Sequence, residues 1–385
     1  MKNKWIILFF IILSVSILWI FGPDADENTA DGHLSFNGQN TAVPAPSSLA
    51  PSEKPLYNYF KVEEHESGFD LIMHVIELDL SNPLLEIRPV SSHTTLFGYE
   101  YLSKINEKWD ARVSINGGFS HTDGLLGGMY AIENELYVPA TGMYPVLFKE
   151  NDKVFIKDAS TRVWIEGSVK LENFHFNKYP DREGLYVFTP AYGSQNRVRQ
   201  PHLNIVVSGG EVRGSLISHD SCEIPRDGFL ISAIGENYKK KLKDIEAGMN
   251  LKIVFETNSD SGKIAGFDWA YECGSWILKD GETVVPDFDT WVGTLNVRTP
   301  RTAVGLKDDG KMVFVVADGR QKGLSDGLTG RELAERLQKM DVKDAVFLDG
   351  GASSELIIDG EIINSPSAGR ERMLASAFII REKTQ

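Results

Sequence analysis

Two acidic turns near the C-terminal end combine residue types suited to chemistry on an anionic substrate. In Asp318-Gly319-Arg320 a carboxylate is followed at once by glycine and a guanidinium. In Asp349-Gly350-Gly351-Ala352-Ser353-Ser354 a second carboxylate is followed by two glycines and two hydroxyls. Glycine lets backbone N–H groups approach a ligand oxygen, and an arginine fork can grip a phosphate through two parallel bonds. Arg301-Thr302, Arg370 and Arg372 offer more groups of this kind. Singly, an Asp-Gly after a strand is an ordinary turn and a lone arginine an ordinary surface residue. They make a site only if the fold brings them together.

The elements around them supply that convergence. Residues 312–317 (MVFVVA) and 345–348 (AVFL) are continuous apolar runs of strand length. Between them, Thr329-Gly330-Arg331-Glu332 has capping-box spacing and opens a helix with Leu333, Ala334, Leu337 and Met340 on one face. Strand, helix, strand is a βαβ unit, whose crossover returns the second strand parallel to the first. Asp318 and Asp349 then leave the same sheet edge, about 5 Å apart for adjacent strands and about 10 Å with one strand between. That range brackets the carboxyl separations of glycoside-cleaving pairs. Residues 303–306 and 374–380 are further short strands, entered by Arg301 and by Arg370 and Arg372. A third turn of the same kind, Asn116-Gly117-Gly118-Phe119, follows a short alternating segment at 111–115.

Upstream, strand signals recur at 69–80, 84–89, 146–156, 163–169, 203–207, 229–234 and 251–257, with no long amphipathic helix between them. The expected fold class is α/β (α+β), a mixed sheet with a C-terminal βαβ unit packed with a β-rich N-terminal and middle region. The 385-residue chain has ordinary apolar (42%) and charged (24%) fractions, enough to bury a real core. A formal net charge of −14 argues against a nucleic-acid surface. Two cysteines, Cys222 and Cys273, allow one disulfide or two free thiols and exclude a cysteine-based metal site.

Lys2 and Lys4 precede residues 5–21, which carry no charge and only Ser14 and Ser16 as polar interruptions. Such a stretch is just long enough to span a bilayer, its positive flank staying inside. The expected organisation is a membrane anchor at 1–22, a linker rich in Pro, Ser, Asn and Asp at 23–56, and one catalytic domain at 57–385. The location expected is the cell membrane, single-pass, with the domain outside; a cleaved signal peptide and a secreted product is the alternative. The membrane would be met through that helix only.

Taken together, SINGGF at 114–119, RTAVG at 301–305, DGR at 318–320, GLTGRELAERL at 327–337, LDGGASSELIIDG at 348–360 and NSPSAGRERMLASAFII at 364–380 resemble the phosphodiester glycosidase family. The likeness covers roughly residues 71–380, strongest in the last eighty. It implies a hydrolase that removes a sugar from a phosphodiester-linked glycan, in an exported setting a phosphate-containing wall or surface polymer. Functional positions would fall on Asn116, Gly117, Gly118, Arg301, Thr302, Asp318, Arg320, Asp349, Gly350, Gly351, Ser353 and Ser354, with Asn364 and Arg372. Of these Asp318, Asp349 and Arg320 would be catalytic and the rest substrate-binding, with Asn116 and Ser353 orienting sugar hydroxyls and Arg301, Arg320 and Arg372 holding phosphate. Ala352 stands where members often have a third glycine and Ser120 where a second aromatic is common.

No cofactor is required by these residues, although Asp318, Asp349 and backbone oxygens could hold Ca²⁺ or Mg²⁺, with His121 as an added ligand. A metal-dependent phosphodiesterase is one rival reading; a non-catalytic glycan-phosphate binding module is the other.

Overall fold

The computed structural model describes residues 55–66 and 68–383. The expected anchor and nearly all of the expected linker lie outside the described residues. Among the described residues half are in strands and 9% in helices, so the α/β expectation is corrected to a β-rich fold. The expected single-pass membrane location finds no support among the described residues, where no helix is long and apolar enough to cross a membrane.

The sheet that carries the two acidic turns has seven strands. In spatial order they are Asn58–Glu66, Phe69–Asp79, Lys311–Ala317, Arg301–Lys307, Val342–Phe347, Trp276–Lys279 and Glu282–Thr283. Every neighbouring pair is antiparallel. The strands Lys311–Ala317 and Val342–Phe347 do run parallel to each other, as the helical crossover demands. They are not adjacent, because Arg301–Lys307 inserts between them antiparallel to both. This sheet is therefore antiparallel rather than mixed, and two strand spacings, about 10 Å, separate the strands that precede Asp318 and Asp349.

The uninterrupted apolar run at 312–317 reflects burial on both faces rather than parallel pairing. Val313, Val315 and Ala317 share a core cluster with Leu333, Ala334 and Leu337 of the helix Gly330–Lys339. Met312, Phe314 and Val316 point the other way, into a cluster with Ile115 and Phe378 of a second sheet. That alternation is the strand period of two with a separate core on each side.

The second sheet orders Glu361–Ile362, Leu356–Ile358, Val113–Asn116, Ser376–Glu382 and Leu85–Ser91, again antiparallel throughout. It brings residue 116 and the segment after 353 to the edge where the first sheet ends. The middle of the chain builds a seven-stranded and a five-stranded sheet around a separate apolar cluster. The signal at 146–156 is a hairpin, Thr141–Glu150 with Lys153–Gly167, turning at Asn151 with φ 53°. Cys222 is half-buried and Cys273 buried, and both are free thiols.

The expected capping box is present. Thr329 Oγ1 accepts from Glu332 N (3.2 Å) and Glu332 Oε2 accepts from Thr329 N (2.9 Å). Replacing Thr329 by alanine should lower unfolding free energy by about 1 kcal/mol. Denaturant melts of the full chain check this; an unchanged midpoint would show that the cap does not hold the helix.

Candidate active site

The two sheets are joined at their shared edge by one buried side chain. Asn116, with no exposed surface, ends the strand Val113–Asn116. Its Oδ1 accepts from Thr302 Oγ1 (2.8 Å) and from Glu355 N (3.1 Å). Its Nδ2 donates to Asp349 O (2.6 Å) and Gly117 O (3.2 Å). Asp349 N in turn donates to Gly117 O (3.1 Å), so the main chain of Asp349 is held from both sides by the turn at 116–117. Gly117 has to be glycine: a Cβ there would stand 2.4 Å from Ser376 Oγ and 2.8 Å from the Tyr271 hydroxyl. The Tyr271 hydroxyl accepts from Gly118 N (2.5 Å) and pairs with Ser376 Oγ (2.6 Å).

Asp349 faces a cavity of about 580 Å³. It is the one carboxylate among the lining residues, which include Gly118, Ser353, Arg372, Tyr99, Ser120 and Trp291. Burial pushes its carboxyl above the usual aspartate range, opposed by a hydrogen bond from Ser353 and by the charge of Arg372. One wall is aromatic: Trp291 stacks on Phe119 with centroids 5.7 Å apart. Asp289 fixes that wall, its Oδ1 accepting from Trp291 N (2.6 Å) and Val292 N (2.9 Å), its Oδ2 from Ser275 N (2.7 Å) and Ser275 Oγ (2.6 Å).

The residues singled out in the sequence fall into two groups. Gly118, Asp349, Ser353 and Arg372 line the cavity. Arg320 is exposed, has a left-handed backbone (φ 60°), and lies over the 349–353 turn, its Nη1 3.3 Å from where a Cβ on Gly351 would sit. Gly351 itself has φ 63° and donates to Pro300 O (2.9 Å), while a Cβ on Gly350 would stand 3.0 Å from Pro300 O.

The second group stands behind the cavity. Asn116 is saturated by protein partners, so it orders the Asp349 turn rather than a sugar hydroxyl. Arg301, only 2% exposed, donates from Nε to Leu328 O (3.0 Å) and from Nη2 to Thr294 O (3.2 Å) and Val297 O (2.9 Å). Burial, with repulsion from Arg320, pushes its guanidinium down to about 10. It anchors the loop before its own strand instead of gripping phosphate. Thr302 Oγ1 donates to Asn116 and pairs with Ser354 Oγ (3.1 Å), all three fully or nearly fully buried. Asn364 donates to Asp318 Oδ1 (3.0 Å) and Ser354 O (3.1 Å).

Asp318 belongs to this second group as well. Its Oδ1 accepts from Asn364 Nδ2 and Ser365 N (3.0 Å), and its Oδ2 from Ser365 N (3.1 Å). His74 Nε2 lies 3.6 Å from Oδ2, and its Nδ1 is 2.9 Å from the Tyr59 hydroxyl. With both oxygens occupied at 2% exposure, this carboxylate holds the 364–365 turn in place. It offers no free pair of oxygens to a cation, and no group of three His, Cys, Asp or Glu among the described residues could hold a metal ion. His121 packs edge-on against Trp291.

Sequence reading missed Tyr271, Trp291, Asp289, His74 and Glu355. The first four are remote in the chain from the glycine turns and carry no local signal. Glu355 sits inside the recognised stretch, yet only the fold shows that it is 1% exposed with a buried, unpartnered Oε1. Burial and the neighbouring Glu371 carboxylate push it up to about 8. Glu371 accepts from Ser103 N (2.9 Å) and Ser103 Oγ (2.9 Å), tying the loop that carries Arg372 to the helix Leu102–Trp109.

The folded Glu355 carboxyl therefore binds its proton more tightly than the unfolded one. Its contribution to stability is complete below the ordinary glutamate value of 4.5 and is lost as pH rises towards about 8. Glu355→Gln should flatten the fall in melting temperature of the wild type between those limits. Parallel melting curves for the two proteins across that window would contradict the assignment.

Comparisons with known proteins place this architecture. Residues 202–381 match the family model described as phosphodiester glycosidase. An SPbeta prophage-derived protein of Bacillus subtilis, YomE, is 33% identical over 111 residues, 29% of this chain and 17% of that protein. The N-acetylglucosamine-1-phosphodiester alpha-N-acetylglucosaminidase of Mus musculus is 31% identical over 108 residues, 27% of this chain and 20% of that protein. The matched segments thus span a fifth or less of these relatives' length. A solved structure of a hypothetical protein from Synechocystis shares the fold with a TM-score of 0.72 at 19% identity, covering 84% of this chain and 62% of that one. The likeness of this chain to the phosphodiester glycosidase family thus rests on residues 202–381.

Proposed function

We propose that the chain hydrolyses the bond between the anomeric carbon of a sugar and a phosphodiester oxygen, releasing free sugar from a phosphate-containing glycan such as a cell-envelope polymer. The observation that carries this reading is the position of Asp349, the one carboxylate lining a cavity walled by stacked Trp291 and Phe119 and bordered by Arg372. Water adds to the anomeric carbon, the bond from that carbon to the phosphate oxygen breaks, and the electron pair leaves with the phosphate. Asp349 takes the proton from water. Phosphate is a good leaving group and needs no acid to protonate it, so a single carboxylate suffices. Arg372 at the rim, and Arg320 over the Gly351 turn, balance the negative charge that develops. A carboxylate raised by burial is also a stronger base than an exposed one.

The full chain incubated with a hexosamine 1-phosphodiester should yield free sugar, undiminished by EDTA, and Asp349→Asn should reduce kcat roughly 10²- to 10⁴-fold. Because the base works ionised and its carboxyl is raised, kcat should fall on acidification with a midpoint above the ordinary aspartate value. Sugar phosphate as product, lost with EDTA, would replace this reading by a metal-dependent phosphodiesterase. Binding without turnover would make the chain a glycan-phosphate binding module.

A further inference from the structure

We infer that a second recess beside the cavity binds a phosphate of the substrate chain away from the bond being cleaved, so that the substrate is a glycan with repeated phosphodiesters. This rests on the activity proposed above. The recess holds about 360 Å³ and is lined by Tyr179, Ser194, Gln195, Arg197, Arg199 and Ser221. Each of the six carries a hydrogen-bond donor and none carries a negative charge. In a chain of net charge −14, a recess lined without a carboxylate and with two arginines selects for an anion. Both Arg197 and Arg199 are exposed to solvent, Arg197 lying over the Phe97 and Tyr192 rings.

The recess is built in advance of any ligand. Arg197 takes a left-handed backbone conformation (φ 57°), uncommon for a residue with a side chain. Its guanidinium lies 4.0 Å over the Phe97 ring. The preceding Asn196 has no exposed surface and locks the loop, its Oδ1 accepting from Val198 N (3.2 Å) and Cys222 N (2.9 Å) and its Nδ2 donating to Ser232 Oγ (3.1 Å). A fixed arginine fork matches phosphate at low ordering cost.

Its position fits an extended substrate. Phe97, under Arg197, is two residues from Tyr99, which lines the Asp349 cavity. Two residues of chain separate their Cα atoms by no more than ~7 Å. Tyr99 is itself fastened, its hydroxyl donating to His121 O (2.6 Å). Both arginines precede residue 202, where the family match begins, so the match assigns them no role.

The test compares a single-repeat N-acetylhexosamine 1-phosphodiester with a short synthetic oligomer of the same repeat, using the full chain. The wild type should show the lower KM for the oligomer. Arg199→Ala should raise that KM roughly tenfold and weaken its salt dependence, leaving kinetics on the single repeat unchanged. Arg197→Met, which keeps an apolar cover on Phe97, should do the same. Equal KM values for the two substrates in the wild type would overturn the inference, as would variants unchanged on the oligomer or impaired equally on both substrates. If the wild type cleaves neither, the proposed activity fails, and direct titration with the oligomer decides the recess: tighter binding by wild type than by Arg199→Ala supports it, equal binding overturns it.

Discussion

The carboxamide of Asn116 is the contact on which the rest of the site depends. Two antiparallel sheets end at one edge, and neither alone would fix the main chain of Asp349. Asn116 accepts from one sheet through Thr302, accepts from the segment leading into the other through Glu355 N, and donates to the carbonyl of Asp349 itself. Fully buried amides that meet both their donor and their acceptor needs in one geometry are rigid, because any displacement leaves a polar atom unpaired at a cost of about 1–3 kcal/mol. The Asp349 turn inherits that rigidity.

Around this link the buried polar residues divide labour with the cavity-facing ones. Asp318, Asn364, Arg301, Thr302 and Ser354 spend their hydrogen bonds on neighbouring turns. Asp349, Ser353 and Arg372 keep theirs towards the cavity. The division follows from desolvation. A carboxylate with 2% exposure must be satisfied by protein donors, and Asp318 finds three hydrogen bonds, from Asn364 and Ser365.

Much of this was legible in the sequence, within a limit set by what periodicity encodes. The capping box at Thr329, the strand signals at 312–317 and 345–348 and the two acidic turns that follow them come from local patterns, whereas the turn at 116–118 is tied to them only by the family likeness. The direction of the two acidic strands was also legible, since a helical crossover requires it. The strand between them was not: an apolar run reports that both faces are covered, and here a helix and a second sheet do the covering, with no parallel pairing needed. Nor can composition tell a buried arginine on three carbonyls from one that lines an open cavity, as Arg301 and Arg372 illustrate.

The aromatic wall carries a further consequence. Trp291 is set by Asp289 through contacts to Ser275 and to its own turn, none of which touches Asn116. Tyr99, Trp291 and Arg372 reach the cavity from three distant parts of the chain, each with its own fastening. Such a rim can be rewritten one loop at a time during evolution while the knot beneath it stays intact, so relatives can diverge in what the cavity accepts without first disturbing the turn that holds Asp349.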